Sequence, residues 1–437
     1  MTPPASGTGR DPGREIAINA DLEILRAIAI AFTLAAHLLW PVLPKMGEMG
    51  RKIHALFQFW TGVDLFFAIS GFIITLSLLR QFSCGRSGDP GRPGPDGLRG
   101  FLRMAAPFWI RRVFRLLPSA WLWIGITLLL TAGFNSHGSF GTWRNNASEA
   151  LAAVFNVANF YFYAWFARGH SISGSLGVYW SLSLEEQFYL ALPFLLFFMR
   201  RRWLVGTLAG AFAVQFFLHR PSGFTPQGAG LPWFVRTDAL ILGVLIALWK
   251  EHLSYRVFDN RITHHRLLAQ AAVVAGVVAL GALPAAQAAK PFSTGWVAIV
   301  SGLLVLIASC DRNCIMRPSR AREALLWLGS RSYSIYIIHV VGRASVLEVK
   351  KSVGIPEGGV LAALASLGAL VFTLALAELN YRCIEVPFRR LGRRLAGSGE
   401  VELKQKSLAR GDFVRGKRLA PAGASSRASA RAIRTGA

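Results

Sequence analysis

Acidic residues are scarce in this chain: 23 aspartates and glutamates stand against 48 lysines and arginines, for a net charge of +25. A basic excess of that size raises nucleic acid as a partner, but here it is concentrated in short segments between apolar runs and in the carboxy-terminal tail. Topology signals of membrane proteins are distributed in that way, which argues against nucleic acid. Charge of either sign is itself rare, at 16% of 437 residues, and no soluble domain of ordinary size remains once the apolar runs are set aside. Cysteine is limited to Cys84, Cys310, Cys314 and Cys383. All four fall in or beside segments read as cytoplasmic, so no disulfide framework is expected. Cys310 and Cys314 lack the companions of a metal site, and neither a bound metal nor a bound cofactor is expected. The first twenty residues hold no signal-peptide h-region, so the first helix is expected to be kept as a span. No Gly-x-Ser-x-Gly elbow marks a serine nucleophile. Ser70 with Gly71, and Gly206 with Gly210, read as small-residue helix packing. No internal repeat argues for an inverted-repeat transporter.

What is abundant is apolar sequence. Hydrophobic residues make up 53% of the chain, in runs of roughly twenty, each long enough to cross a ~30 Å hydrocarbon core. The expected fold is all-α, a polytopic transmembrane bundle. Spans are placed at 22–40, 57–79, a third ending near Phe134, then 178–199, 203–219, 231–249, 267–285, 294–309, 325–346 and 359–381. That gives about ten, with both termini cytoplasmic. The run 151–166 decides the count. If it spanned, Arg200 to Arg202 and the basic loop Lys250 to Arg266 would both fall outside; as a re-entrant or interfacial segment it leaves every basic loop inside. Three regions follow: a polar segment 1–20, a membrane domain 21–390, and a basic tail 391–437 expected to be disordered and drawn to anionic lipid.

Ionisable residues inside the runs are the functional candidates, because such groups are costly in lipid and face protein or water. Arg26 and His37 are eleven positions apart, which on an ideal helix returns to within about 20° of one face, ~16 Å further along the axis. An imidazole serves as a general base near neutral pH, and a guanidinium suits phosphate or carboxylate. Equally, an interfacial histidine and a snorkelling arginine need no ligand. An outer layer with His37 holds Asp64, Ser181 to Glu186, Arg236, Asp238, Tyr336 and His339; an inner layer holds Asp21, Arg26, Arg111, Arg112, Arg115 and Glu385. Two such layers suit an anionic donor held from the cytoplasm and chemistry reached from the other side.

Each candidate has a plainer explanation. Ser183 and Glu186 match a capping box. Glu185 and Glu186 lie about 100° apart on a helix, so they cannot both face one cavity. Arg236 paired with Asp64 or with Asp238 would simply orient helices. His339 suits a hydrogen-bonded core histidine, and Arg111, Arg112 and Arg115 suit a topology signal.

The order of the motifs is more specific than any one of them. Arg26, ten residues and His37 come first, followed by GVDLFFAISGF at 62–72, RRVFRLLP at 111–118 and WSLSLEEQFYL at 180–190. RTDALILG at 236–243, YSIYIIH at 333–339 and YRCIEVPFRR at 381–390 complete the series. Over about residues 20 to 390 the chain resembles the acyltransferase-3 family of integral membrane O-acyltransferases, which includes bacterial surface-polysaccharide O-acetylases and macrolide acyltransferases. The resemblance implies transfer of an acyl group, most simply acetyl, from cytoplasmic acyl-CoA to a hydroxyl of an envelope or exported glycan or glycolipid. The setting it implies is multi-pass, in lipid of a cell inner membrane. It implies His37 as the essential histidine, Arg26 as its first-helix partner, and Arg112 and Arg115 as donor contacts beside Arg111. Glu186 joins the catalytic candidates, and Asp64, Arg236, Asp238, Tyr336 and His339 are candidates for substrate contact.

Two departures qualify the match. After Asp21 the chain reads Leu-Glu-Ile-Leu-Arg-Ala where the family usually reads Gly-Leu-Arg-Gly after the acid, removing glycines that allow close packing. The short basic tail is also not expected to form the esterase-like domain that some polysaccharide O-acetylases carry. The rival from another class is a transporter or flippase for a lipid-linked sugar, in which the same charges gate a pathway and no bond is made.

Overall fold

Asn19 opens the first helix by accepting the Leu22 amide on its side-chain oxygen at 3.0 Å, and Asp21 follows in the first turn, where the helix dipole favours an acid. This is α1 (Ala20–Leu34) of a computed structural model that describes residues 19–85, 97–170, 174–218, 234–286, 293–356 and 359–409. Among those residues every regular element is helical. After α1 come α2 (Glu48–Leu56), α3 (Gly62–Gly85), α4 (Gly97–Gly133), α5 (Trp143–Val154), α6 (Ala158–Ala167), α7 (Tyr179–Phe198) and α8 (Arg201–Phe217). The order continues with α9 (Asp238–Trp249), α10 (Leu253–His264), α11 (Arg266–Ala282), α12 (Ser293–Ala308), α13 (Arg320–Ser330), α14 (Ser332–Ser352), α15 (Gly359–Asn380) and α16 (Val386–Ala409). Residues through Ala396 form one packed unit, and a second begins at Gly397.

Five described stretches are long and apolar enough to cross a membrane: Ala20–Leu39, Gly62–Phe82, Gly97–Gly133, Arg266–Ala285 and Gly359–Gly397. Asp238–Trp249 and Thr294–Ala308 are apolar but shorter. Outward faces are apolar as well: Leu129, Leu267 and Val360 are 73%, 79% and 76% exposed. Water penalises such a surface and lipid does not. The chain is a helical, multi-pass membrane protein.

Two sequence expectations change, at 325–346 and beyond Arg390. The run 325–346 is not one helix, because Arg331 interrupts it between α13 and α14 while its guanidinium reaches Glu378 at 2.8 Å. The run 151–166 is divided between α5 and α6, which meet at Asn156 with a φ of 54°. The ten residues of α6 rise only ~15 Å, half a bilayer core, which is the reach of a half-inserted segment. Beyond Arg390 the backbone stays helical to Ala409, where the basic composition suggests disorder. Leu, Arg, Lys and Glu there are all good helix formers. The polar segment through residue 18 and the tail from 410 lie outside the described residues.

At the centre stands α3, against α9, α1 and α12. A Cβ on Gly71 would collide with the Leu240 carbonyl oxygen, and one on Gly243 with that of Ala68, so α3 and α9 touch backbone to backbone. Gly71 thus serves packing. Gly206 and Gly210 do not: nothing lies within 4 Å of a Cβ on either, and both are exposed on α8. The close approach lost with the missing first-helix glycines is supplied from the partner side, where Gly329 of α13 leaves no room for a Cβ against the Glu23 carbonyl.

Candidate functional site

Positions i, i+1 and i+4 on one helix reach adjacent parts of one surface, and α4 uses them for Arg111, Arg112 and Arg115. These line a cavity of about 480 Å³ between α4, α1, α3, α7 and α14. Arg26, Arg80, Lys250, Arg389 and Arg393 also line it, so cations converge from five helices or their ends. Arg111 is held by Gln81, whose side-chain oxygen accepts at 2.6 Å. Arg112 lies over the Tyr189 ring, 5.2 Å from its centroid. The Nε of Arg115 is buried and has no hydrogen-bond partner among the described residues. Arg26 donates to Glu23 and to Ser332, at 2.8 Å each, and makes its contacts there rather than with His37.

Of the two adjacent acids in WSLSLEEQFYL, Glu185 is the one on the cavity wall, and Glu186 is not among its lining residues. Tyr189, one turn after Glu185, donates to it at 2.8 Å. Tyr189 also meets the Ser70 hydroxyl at 2.5 Å. Ser70 therefore belongs to the cavity, although its neighbour Gly71 serves packing. The i, i+4 spacing of Glu185 and Tyr189 is the sequence signal for the tyrosine's place in the site. The capping-box explanation of Ser183 and Glu186 also fails. Helix α7 starts at Tyr179, and Ser183 sits inside it, accepting the Ala158 amide from α6 at 3.2 Å.

Tyr336 closes the far end. Its hydroxyl bonds the Ser181 hydroxyl at 2.6 Å, and its ring lies 5.7 Å from that of His339. His339 is fully buried, and its Nδ1 lies 2.6 Å from the Tyr336 carbonyl oxygen. A carbonyl only accepts, so Nδ1 carries the proton and Nε2 is the unprotonated nitrogen. That Nε2 has no partner among the described residues, and the ring stands 4.7 Å from the ring of His37. His37 itself is exposed and sits in a π turn, Ala35–Leu39, closed by the Trp40 amide on the Ala35 carbonyl at 2.9 Å. The wider turn rotates His37 away from the phase an unbroken α-helix would give it relative to Arg26. A second π turn, Tyr381–Glu385, buries Glu385, which accepts from Ser334 at 2.8 Å.

Asp64, Arg236 and Asp238 are not brought into the cavity. Asp64 and Arg236 form a buried pair at 3.3 Å, with the guanidinium 5.1 Å from the Trp60 ring and 5.2 Å from that of Trp180. Asp238 is buried at the start of α9, where an acid complements the helix dipole. Among the described residues no three or more His, Cys, Asp or Glu gather as a metal would require. Cys310, Cys314 and Cys383 are free thiols.

The start of α7 is held by a clamp from α5. Asn146 accepts the Ser175 amide at 2.8 Å, and Glu149 accepts those of Gly174 and Leu176 at 3.1 and 3.0 Å. Burial pushes the Glu149 carboxyl up to about 7, against the pull of the two amides. The folded clamp then binds more protons than the unfolded chain between about pH 4.5 and 7, so its contribution to stability falls as pH rises through that window. Thermal unfolding in detergent should show that decline in the wild type, and Glu149→Gln should flatten it. Equal slopes in the two proteins would place the titration elsewhere.

The sequence profile of the acyltransferase domain matches residues 19–378. The peptidoglycan O-acetyltransferase OatA of Listeria monocytogenes is 25% identical over 358 residues, covering 76% of this chain and 51% of its own length. The O-acetyltransferase OatA of Staphylococcus aureus strain NCTC 8325 is 25% identical over 343 residues, covering 76% and 53%. YrhL of Bacillus subtilis strain 168 is 28% identical over 354 residues, covering 76% and 51%. The chain thus spans about half the length of these relatives. No solved structure matches it. Because the profile spans most of the chain and takes in the first-helix arginine, the arginines of α4 and the paired histidines, the chain belongs to the acyltransferase-3 family.

Proposed function

We propose that the chain is an O-acyltransferase of a bacterial inner membrane that moves an acyl group, most simply acetyl, from cytoplasmic acyl-CoA to a hydroxyl of an envelope or exported glycan or glycolipid. The cavity carries this reading. At about 480 Å³ it has the size of small-molecule sites, and the buried Arg115 Nε beside Arg112 is a donor awaiting an acceptor. The phosphates of coenzyme A supply such acceptors, at the end remote from the thioester. The relatives named above as O-acetyltransferases support acetyl as the group and a glycan as the acceptor.

In this mechanism the arginines hold the donor with its thioester toward Tyr336. The acceptor hydroxyl gives its proton to His37 as its oxygen attacks the thioester carbonyl. The tetrahedral oxyanion then collapses, the carbon–sulfur bond breaks, and the coenzyme A thiolate leaves and takes up the proton from His37. His339, anchored through Nδ1 on the Tyr336 carbonyl, acts as a positioning residue for the His37 ring. A transporter of lipid-linked sugar would use the same charges without releasing coenzyme A, and membership in an acyltransferase family weighs against it.

The test is release of free coenzyme A from acetyl-CoA, with labelled acetyl followed into extracted glycan and lipid. Replacing both arginines, Arg112→Gln with Arg115→Gln, should raise the KM for acyl-CoA by at least about tenfold, the loss of one or more charge-assisted hydrogen bonds. The kcat should change much less. An unchanged KM would remove the pair from donor binding, and release of no coenzyme A by the wild type, with longer acyl donors also supplied, would favour the transporter.

A further inference from the structure

A second pocket, of about 150 Å³, lies between the turn that follows α1, α14 and α15, and shares no lining residue with the arginine cavity. Three cations line it. Lys45 comes from the 3-10 turn Leu43–Met46, and Arg343 and Lys350 come from one face of α14, seven residues apart. No acidic side chain is among its described lining residues. Glu348, the acid nearest in sequence, is committed elsewhere, accepting the amides of His137 and Ser139. Proximity to the carboxy-terminal end of α14 accounts for Lys350 through the helix dipole. It does not account for Arg343, which stands about two turns earlier and is half-buried.

The opposite wall explains the space. Ala362, Ala365, Ser366 and Ala369 follow the i, i+3, i+4, i+7 pattern of one α15 face and leave room for an occupant. The volume is about five waters' worth, enough for a phosphate with a few adjoining carbons and too small for a sugar chain. Arg343 and Lys350 face the same small, partly apolar space, and their like charges repel unless an anion joins them. The same stretch of α15 presents Val360, Leu361 and Leu364 outward, a surface suited to acyl chains.

We infer that this pocket binds the phosphate group of an anionic lipid, with the chains lying along α15. Basic pockets between membrane helices take lipid headgroups in this manner. The inference rests on the pocket's own residues and not on the acyl-transfer reading. If that reading also holds, the headgroup is held beside the chemistry, because Leu38 on the pocket wall directly follows His37 and the Arg343 charge acts on both His37 and His339.

The experiment uses the full chain, purified in detergent and washed free of lipid, then offered phosphatidylglycerol, phosphatidylcholine or inorganic phosphate. Bound lipid is counted by native mass spectrometry, and thermal unfolding is followed in parallel. The wild type should retain phosphatidylglycerol over phosphatidylcholine by about tenfold, while millimolar inorganic phosphate gives no comparable thermal shift. The double variant Arg343→Gln with Lys350→Gln should lose that preference, and Arg343→Lys should keep most of it. Lys350→Glu, at a half-buried position, provides a second charge variant should the double one fail to fold, and it should also lower the preference. Equal retention of the two lipids by the wild type overturns the inference. So does full retention of phosphatidylglycerol by the charge-removing variants, or stabilisation by inorganic phosphate equal to that by the lipid.

Discussion

Replacing His37 with alanine should cut acyl transfer by at least about 100-fold, the usual scale for losing a positioned general base. Coenzyme A release and label incorporation should fall together, because one proton transfer serves both. The substitution is suited to isolating chemistry from folding. His37 is exposed, on a turn whose closing hydrogen bond is made by backbone atoms of Ala35 and Trp40, so alanine there should leave thermal unfolding within about 0.5 kcal/mol of the wild type. His37→Gln keeps a polar group of similar reach without a titratable nitrogen and should be equally inactive. Full transfer by both variants would take His37 out of the mechanism, while the arginine cavity and its donor would stand.

The second large effect concerns stability. Asp64→Ala should cost about 3–5 kcal/mol and much of the folded yield, because it takes the Asp64 carboxylate away from the buried Arg236 guanidinium. Removing both charges, Asp64→Ala with Arg236→Met, should recover most of that loss. Methionine approximates the length of arginine and packs well against aromatic rings, which Trp60 and Trp180 supply here. The double variant also separates the two explanations the sequence leaves open. A folded and active double variant assigns the pair to helix orientation; a folded but inactive one returns Asp64 and Arg236 to substrate contact. A loss below about 1 kcal/mol in Asp64→Ala would show that the pair does not anchor the fold.

The residues that sequence placed well are those whose position follows from helical periodicity alone. Arg111, Arg112 and Arg115 share a short stretch of α4 and line the cavity together, and Tyr336 and His339, a turn apart, stay neighbours. What periodicity cannot carry is the phase of one helix against another. Glu185 and Glu186 lie about 100° apart, and which of them lines the cavity depends on how α7 is rotated in the bundle; the structure has Glu185 there, whereas the equally adjacent Arg111 and Arg112 both reach it. Nor does Ala-Ala-His-Leu-Leu, an ordinary helical string, announce the π turn at Ala35–Leu39. The break at Arg331 was hidden because its neighbours on both sides are apolar enough to read as one span. Past Arg390, composition and helix propensity pull in opposite directions, and propensity prevails to Ala409.

The glycine contact between α3 and α9 also bears on how anything enters the cavity. Two backbones in direct touch have no layer of side chains to act as a lubricant, and any sliding would drive carbonyl oxygens into α-carbons. The two helices are therefore a single strut, and the strut forms one wall of the chamber. The other walls include helices with internal prolines, α4 at Pro107 and Pro118 and α7 at Pro193, each of which deletes a rung of the helical ladder. The arginines of α4 lie between its two prolines, so the segment that presents them to the cavity sits between two weakened points of its helix.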